Sequence, residues 1–216
     1  MLVLGSASPA RATLLRSAGI IPVIAPSEVD EEALISGAGP LAGDPHALTQ
    51  LLASAKARDV AARVRDSAIP TTGRRGSDRP LRFVVGADSM LAFDGQVLGK
   101  ASTADEIRRR WAAMAGGSGV LVTGHAVIEV DSGRLVERTV ATTVHFGHPD
   151  PAELEAYIAS GEPFAVAGSC TIDGLGGPFI DGVDGDHTNV IGLSMPGLRA
   201  MLCELGVRWT DLWDPA

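Results

Sequence analysis

A chain of 216 residues, 45% hydrophobic and 20% charged, has the apolar material for a packed core and fits one large domain or two small lobes around a cleft. That balance excludes a disordered polyelectrolyte. A formal net charge of −8 and only 4% aromatic residues exclude a basic duplex-binding surface and a stacking platform for single strands, but not a compact anion held by a few local cations.

The first apolar run, residues 2–4, has strand character, and Ser8-Pro9 places an N-cap before a proline, which opens a helix over residues 9–18 that Gly19 stops. Residues 20–25 read as extended, residues 27–32 as an acidic turn and residues 36–43 as a Gly/Pro loop. Asp44-Pro45 repeats the cap-and-proline signal at the head of a long Ala-rich helix reaching about Arg65. Residues 67–82, with four prolines or glycines and Arg74, Arg75, Arg79 and Arg82, read as a surface loop insertion.

A strand at 83–85 is expected to end at Gly86-Ala87-Asp88-Ser89, and residues 90–98 form a hairpin about Asp94-Gly95, a pair suited to the φ > 0 turn between antiparallel strands. Thr103-x-x-Glu106 opens a helix that ends at Gly116-Gly117. Residues 120–130 and 135–146 make a longer hairpin; Asp150-Pro151 starts a helix closed by Gly161, and residues 196–205 form the last helix. Residues 168–192 are rich in glycine and aspartate. Strands alternating with helices, plus two hairpins, give an α/β fold with a mixed β-sheet and flanking helices.

Cys170 and Cys203 fit no metal or redox spacing and are too few for a disulfide framework, which points to reduced thiols in the cytoplasm. The amino terminus lacks a signal-peptide pattern, and the near-apolar run 18–26 is too short to span a bilayer, so no membrane association is expected.

Ser6, Ser8 and Arg11 stand at a strand-to-helix junction, where unpaired N–H groups, hydroxyls and a guanidinium suit phosphate; an ordinary cap beside a surface arginine is the alternative. Lys56 interrupts the ladder Leu48, Leu52, Val60, Val64, so its ammonium either snorkels to water or meets a carboxylate or ligand anion. Asp88, at an expected strand end, either accepts a proton or binds a hard cation, or it caps a turn. Lys100 follows Gly99, but Ala101 stands where a P-loop needs Ser or Thr and the glycine spacing is one short, which excludes that motif. Around Asp181 to Asn189 the ligand positions of an EF-hand are not met, and the histidines lack zinc spacing.

Ser6-Ala7-Ser8-Pro9-Ala10-Arg11, Ser27-Glu28-Val29-Asp30-Glu31, Lys56-Ala57, Gly86-Ala87-Asp88-Ser89, Leu98-Gly99-Lys100, Glu162-Pro163 and Asn189-Val190-Ile191-Gly192 occur in the order found in the Maf family of nucleoside triphosphate pyrophosphatases, which the chain resembles from about residue 2 to 205. The resemblance implies an elongated α/β fold of the inosine triphosphatase type over residues 1–216, with two lobes around a central cleft. It implies hydrolysis of a nucleoside triphosphate to the monophosphate and pyrophosphate with Mg²⁺ or Mn²⁺, in a cytoplasmic homodimer linked to arrest of cell division. Carried over, Asp88 is the proton acceptor and a metal ligand with Glu31, while Ser6, Ser8, Arg11, Lys56, Ser89 and Lys100 contact substrate. Asp173 stands where members specific for thymidine and uridine triphosphates carry glutamine, and an ionised carboxylate accepts hydrogen bonds but cannot donate them. A nucleotide sensor without turnover and an NTPase releasing the γ-phosphate are the rival readings.

Overall fold

The computed structural model describes residues 1–69 and 80–214; most of the expected insertion at 67–82, including Arg74, Arg75 and Arg79, lies outside them. Seven strands form one mixed sheet: β1 (Leu2–Leu4), β2 (Val23–Ile24), β3 (Phe83–Phe93), β4 (Gln96–Leu98), β5 (Ser118–Glu129), β6 (Leu135–Phe146) and β7 (Ile180–Asp184). Their order is β2-β1-β3-β5-β6-β7, with β4 paired to β3. The β1 pairings with β2 and β3 are parallel and the others antiparallel. Asp94 (φ 47°) and Gly95 (φ 72°) make the tight β3–β4 turn, in which both central residues need positive φ.

Period-two alternation assigns the two faces. Leu2, Leu4, Phe83, Val85 and Ala87 pack against α1 (Pro9–Ser17) and α7 (Met195–Glu204). On the opposite face, Val3, Val84, Ala126 and Ile128 meet Ala53, Ala57, Val60 and Ala61 of α3 (Pro45–Arg65). Farther along the long strands, Leu91, Leu121, Val144 and Phe146 pack with α4 (Ala104–Met114) and α5 (Pro151–Ala159) around Trp111, whose ring meets Phe146, Tyr157 and Phe179 edge-on.

Three local expectations are corrected. The acidic turn at 27–32 ends in a helix: the Asp30 carboxylate accepts from Ala33 N and caps α2 (Glu31–Gly37), whose first turn carries Glu31 and Glu32, where acidic groups oppose the helix dipole. The Gly/Pro loop after it folds as the end of α2 and a 3₁₀ turn over Gly39–Gly43. Within the glycine-rich stretch 168–192, β7 and the short helix α6 (His187–Ile191) form, because Ile180 and Val183 find the β6 edge and Asp186 caps the helix.

Candidate active site

Asp88 does not end a strand. It lies inside β3, opposite Gly124, because β5 extends the antiparallel ladder from Phe83 to Ala92 along one edge. The other edge is discontinuous: β1 pairs only with residues 83–85 and β4 only with residues 91–93. The last ladder bond of β1 runs from Gly5 N to Val85 O, after which the chain turns at Ser8-Pro9 into α1. A gap one strand wide therefore opens beside residues 86–90, and two helices reach it from opposite faces of the sheet.

On the α3 face the approach is unusually close. A Cβ on Gly86 would lie 2.3 Å from Ala53 O, and one on Gly124 would lie 2.3 Å from Thr49 O, so only glycine admits the helix backbone at either place. Lys56, one turn along from Leu52 in the buried ladder, donates from Nζ to Asp88 Oδ1 at 2.6 Å and to Glu31 Oε1 at 2.9 Å. The Lys56 and Asp88 side chains are 8% and 12% exposed, whereas the Glu31 side chain is about half open to solvent, at 47%. Burial pushes the Asp88 carboxyl above the usual carboxylate range, with Lys56 and then Arg11 opposing the shift. Lys56 thus meets carboxylates rather than snorkelling to water.

On the α1 face Ser89 points the other way, and Arg11 spreads its fork over three acceptors. Nε donates to Gly192 O at 2.7 Å, one terminal nitrogen to Ser6 Oγ at 2.9 Å and the other to Ser89 Oγ at 3.1 Å. Burial lowers the guanidinium's pKa, while the charges of Asp88 and Glu31 hold it up, so the cation and the two carboxylates sense one another across the gap. Ser8 caps α1 by accepting from Arg11 N at 3.4 Å, and its own N–H donates to Ser6 Oγ. Ser6, Ser8, Arg11, Lys56, Asp88, Ser89 and Glu31 are therefore brought together.

Lys100 and Asp173 are not joined to that set by any hydrogen bond or ion pair. Both are exposed, Lys100 just beyond β4 and Asp173 in the turn after Cys170. Sequence reasoning missed α2 as the carrier of Glu31, although Asp30 followed by two acidic residues is a legible helix start. It also missed how Gly192 is placed. Asn189, fully buried, donates from Nδ2 to Leu121 O, Val140 O and Thr142 Oγ1, anchoring α6 to the sheet so that Gly192 O faces Arg11. His125 supports the same corner: Nε2 accepts from Ser194 N at 2.9 Å, which leaves the Nδ1 proton for Arg138 O, and burial lowers its pKa to about 4.

A divalent cation fits the donor set. Arg11 and Lys56 match Asp88 and Glu31 in number of charges, so a polyanion bound here needs further cations. Asp88 Oδ2 and Glu31 Oε2 have no hydrogen-bond partner among the described residues, whereas their sister oxygens are engaged by Lys56. No group of three or more His, Cys, Asp or Glu side chains with metal-ligand geometry occurs among the described residues. One or two carboxylates supplemented by water is a donor supply that a hard divalent cation accepts. Cys170 is no candidate: it is buried in the α4–α5 core, and burial pushes its thiol up to about 12. No helix among the described residues is long and apolar enough to cross a membrane.

The chain is similar to curated proteins named nucleoside triphosphate pyrophosphatase. One from Streptomyces coelicolor is 50% identical over 215 residues, covering 100% of this chain and 95% of the relative. Another from Rhodococcus opacus is 46% identical over 214 residues, covering 98% and 95%, and one from Nocardia farcinica is 47% identical over 215 residues, covering 98% and 96%. The family model described as Maf-like protein matches residues 1–205. With that match spanning nearly the whole sequence, the chain belongs to the Maf-like protein family.

Proposed function

We propose that this protein hydrolyses nucleoside triphosphates between the α- and β-phosphates, releasing a nucleoside monophosphate and pyrophosphate. The observation that carries the reading is the meeting of Asp88, Lys56, Glu31 and Arg11 at the gap beside β3. Burial raises the Asp88 pKa, which makes its carboxylate a stronger proton acceptor than an exposed one. In this reading the Asp88 carboxylate accepts the proton of the attacking water, while Lys56 fixes it through Oδ1. Arg11 offers the phosphates a guanidinium whose geometry Gly192, Ser6 and Ser89 have already set, and Ser8 adds a hydroxyl at the start of α1. Lys100 supplies a further cation for the phosphates.

Asp88 and Glu31 would hold the divalent ion. When bound, it neutralises phosphate charge that Arg11, Lys56 and Lys100 leave uncompensated. Asp173 belongs to the same reading as a substrate-recognition residue that accepts but does not donate hydrogen bonds, and homodimeric assembly is part of the proposal, checked by sedimentation.

The test is product analysis with Mg²⁺ or Mn²⁺ across a panel of nucleoside triphosphates. Pyrophosphate release that falls by about 10²–10⁴ in Asp88→Asn, at unchanged fold, supports the reading. Nucleotide binding without turnover favours a sensor, and orthophosphate with a nucleoside diphosphate as products favours a γ-phosphatase.

A further inference from the structure

Arg110 stands in a run of three arginines on α4, and it alone turns inward. Arg108 pairs on the surface with Asp105 and Glu155, and Arg109 is exposed. The Arg110 side chain is only 10% exposed. One of its terminal nitrogens donates to both Gly99 O at 2.7 Å and Ser169 Oγ at 3.1 Å, and the other donates to Glu106 Oε1 at 2.6 Å. Glu106 is itself held, accepting from Ser102 N at 2.9 Å.

The two groups that Arg110 ties together lie far apart in sequence. Gly99 immediately precedes Lys100, an exposed lysine with no hydrogen-bond or ion-pair partner among the described residues. Ser169 is fully buried and adopts φ +58°, directly after Gly168 at φ +68°. Two consecutive left-handed residues, one of them not glycine, persist only where surroundings fix them. The fixing contacts are visible: Arg110 holds Ser169 Oγ, Trp111 Nε1 donates to Ser169 O at 3.0 Å, and Gly168 N donates to Gly99 O at 3.2 Å. Beyond Ser169, the Glu162 carboxylate accepts from Thr171 Oγ1, Leu175 N and Gly176 N, closing the turn that presents Asp173.

We propose that Arg110 is a positioning residue: by clamping Gly99 and Ser169 to one guanidinium, it sets the place of Lys100 relative to the Asp173 turn. It touches no substrate itself. Its effect runs through Lys100 on the phosphate side and through the 169–176 turn on the other. The inference rests on the proposed triphosphate reading for the roles of Lys100 and Asp173, and it adds a residue that neither the Ser6–Arg11 junction nor the Asp88 cluster contains.

The test is a double-mutant cycle of Arg110→Gln and Lys100→Ala, read as affinity for inorganic tripolyphosphate with Mg²⁺ and as KM and kcat for the triphosphate turned over fastest. Arg110→Gln alone is expected to weaken tripolyphosphate binding and raise KM about tenfold, with kcat changed less than about threefold, the scale of lost charge-assisted hydrogen bonds. In the Lys100→Ala background the same substitution is expected to cost less than about threefold, because the group it aims is gone. Equal factors in both backgrounds would overturn the proposal, since a merely structural arginine acts independently of Lys100. If Arg110→Gln does not fold, as judged by its circular-dichroism melt, Arg110→Lys carries the same cycle, because an ammonium cannot span Gly99, Ser169 and Glu106 together. Absence of turnover with every triphosphate would refute the function reading alone, since the tripolyphosphate cycle still decides the role of Arg110.

Discussion

Replacing Lys56 with methionine isolates the electrostatics of the gap, because methionine keeps the apolar stem against α3's neighbours and removes only the ammonium. The wild-type ammonium faces one buried carboxylate and one half-exposed carboxylate. Glu31, with its side chain 47% exposed, rehydrates at little cost, whereas Asp88, with its side chain 12% exposed, is left with Arg11 as the remaining nearby cation. Removing one partner of a buried pair costs about 3–5 kcal/mol, most of it the penalty of the stranded charge. The lower end applies, because Arg11 still acts on Asp88. Asp88→Asn in the Lys56→Met background removes that stranded charge and is expected to restore stability, with a coupling energy of about 2 kcal/mol within the range for contacting residues. Urea unfolding of the four proteins in metal-free buffer, followed by tryptophan fluorescence, gives the cycle. Additive effects, with coupling below about 0.5 kcal/mol, would refute the claim that Lys56 serves chiefly to hold the Asp88 carboxylate.

Gly124→Ala places a Cβ 2.3 Å from Thr49 O and is expected to lose about 2–3 kcal/mol in urea unfolding. Gly182→Ala, where a Cβ meets nothing within 4 Å, should stay within about 0.5 kcal/mol of wild type. Asp44→Ala, which removes the acceptor for His46 N and Ala47 N at the head of α3, should cost about 1 kcal/mol by the same measurement. His125, buried with a pKa of about 4 against the ordinary 6.5, stays neutral in the folded chain while the unfolded chain takes up a proton. Arg11 adds to that lowering, and Asp186 and the carbonyl of Arg138 oppose it. Stability is therefore full above about pH 6.5 and declines as pH falls toward about 4, by about 3 kcal/mol in all. Nitrogen chemical shifts of the His125 ring at pH 5.5 check this: a neutral ring protonated at Nδ1 is expected, and an imidazolium would refute it.

The amino-acid sequence by itself determined the local pieces whose causes are local. Ser8-Pro9, Asp44-Pro45, Thr103 and Asp150-Pro151 start helices because side-chain acceptors and a fixed φ act within one turn, and all four do so in the structure. Asp94-Gly95 and Asp131-Ser132-Gly133 set their hairpins for the same reason. Ser6, Ser8, Arg11, Glu31, Lys56, Asp88 and Ser89, which meet at the gap, could be picked out from motifs and from the one lysine that broke an apolar ladder, whereas Lys100 and Asp173, picked out in the same way, are not joined to them. What tertiary structure decided was everything that depends on which strand ends beside which. Asp88 reads as a strand terminus because glycine follows the apolar run, yet β5 carries the ladder past it; the proposed site lies at the gap left on the other edge, where β1 stops and β4 has not begun. Arg110 is the last of three consecutive arginines in the sequence, and only the packing of α4 against Gly99 and Ser169 distinguishes it. Local sequence specifies turns and caps because their partners lie within a few residues, whereas burial and charge pairing are set by chain segments that meet only once the sheet is assembled.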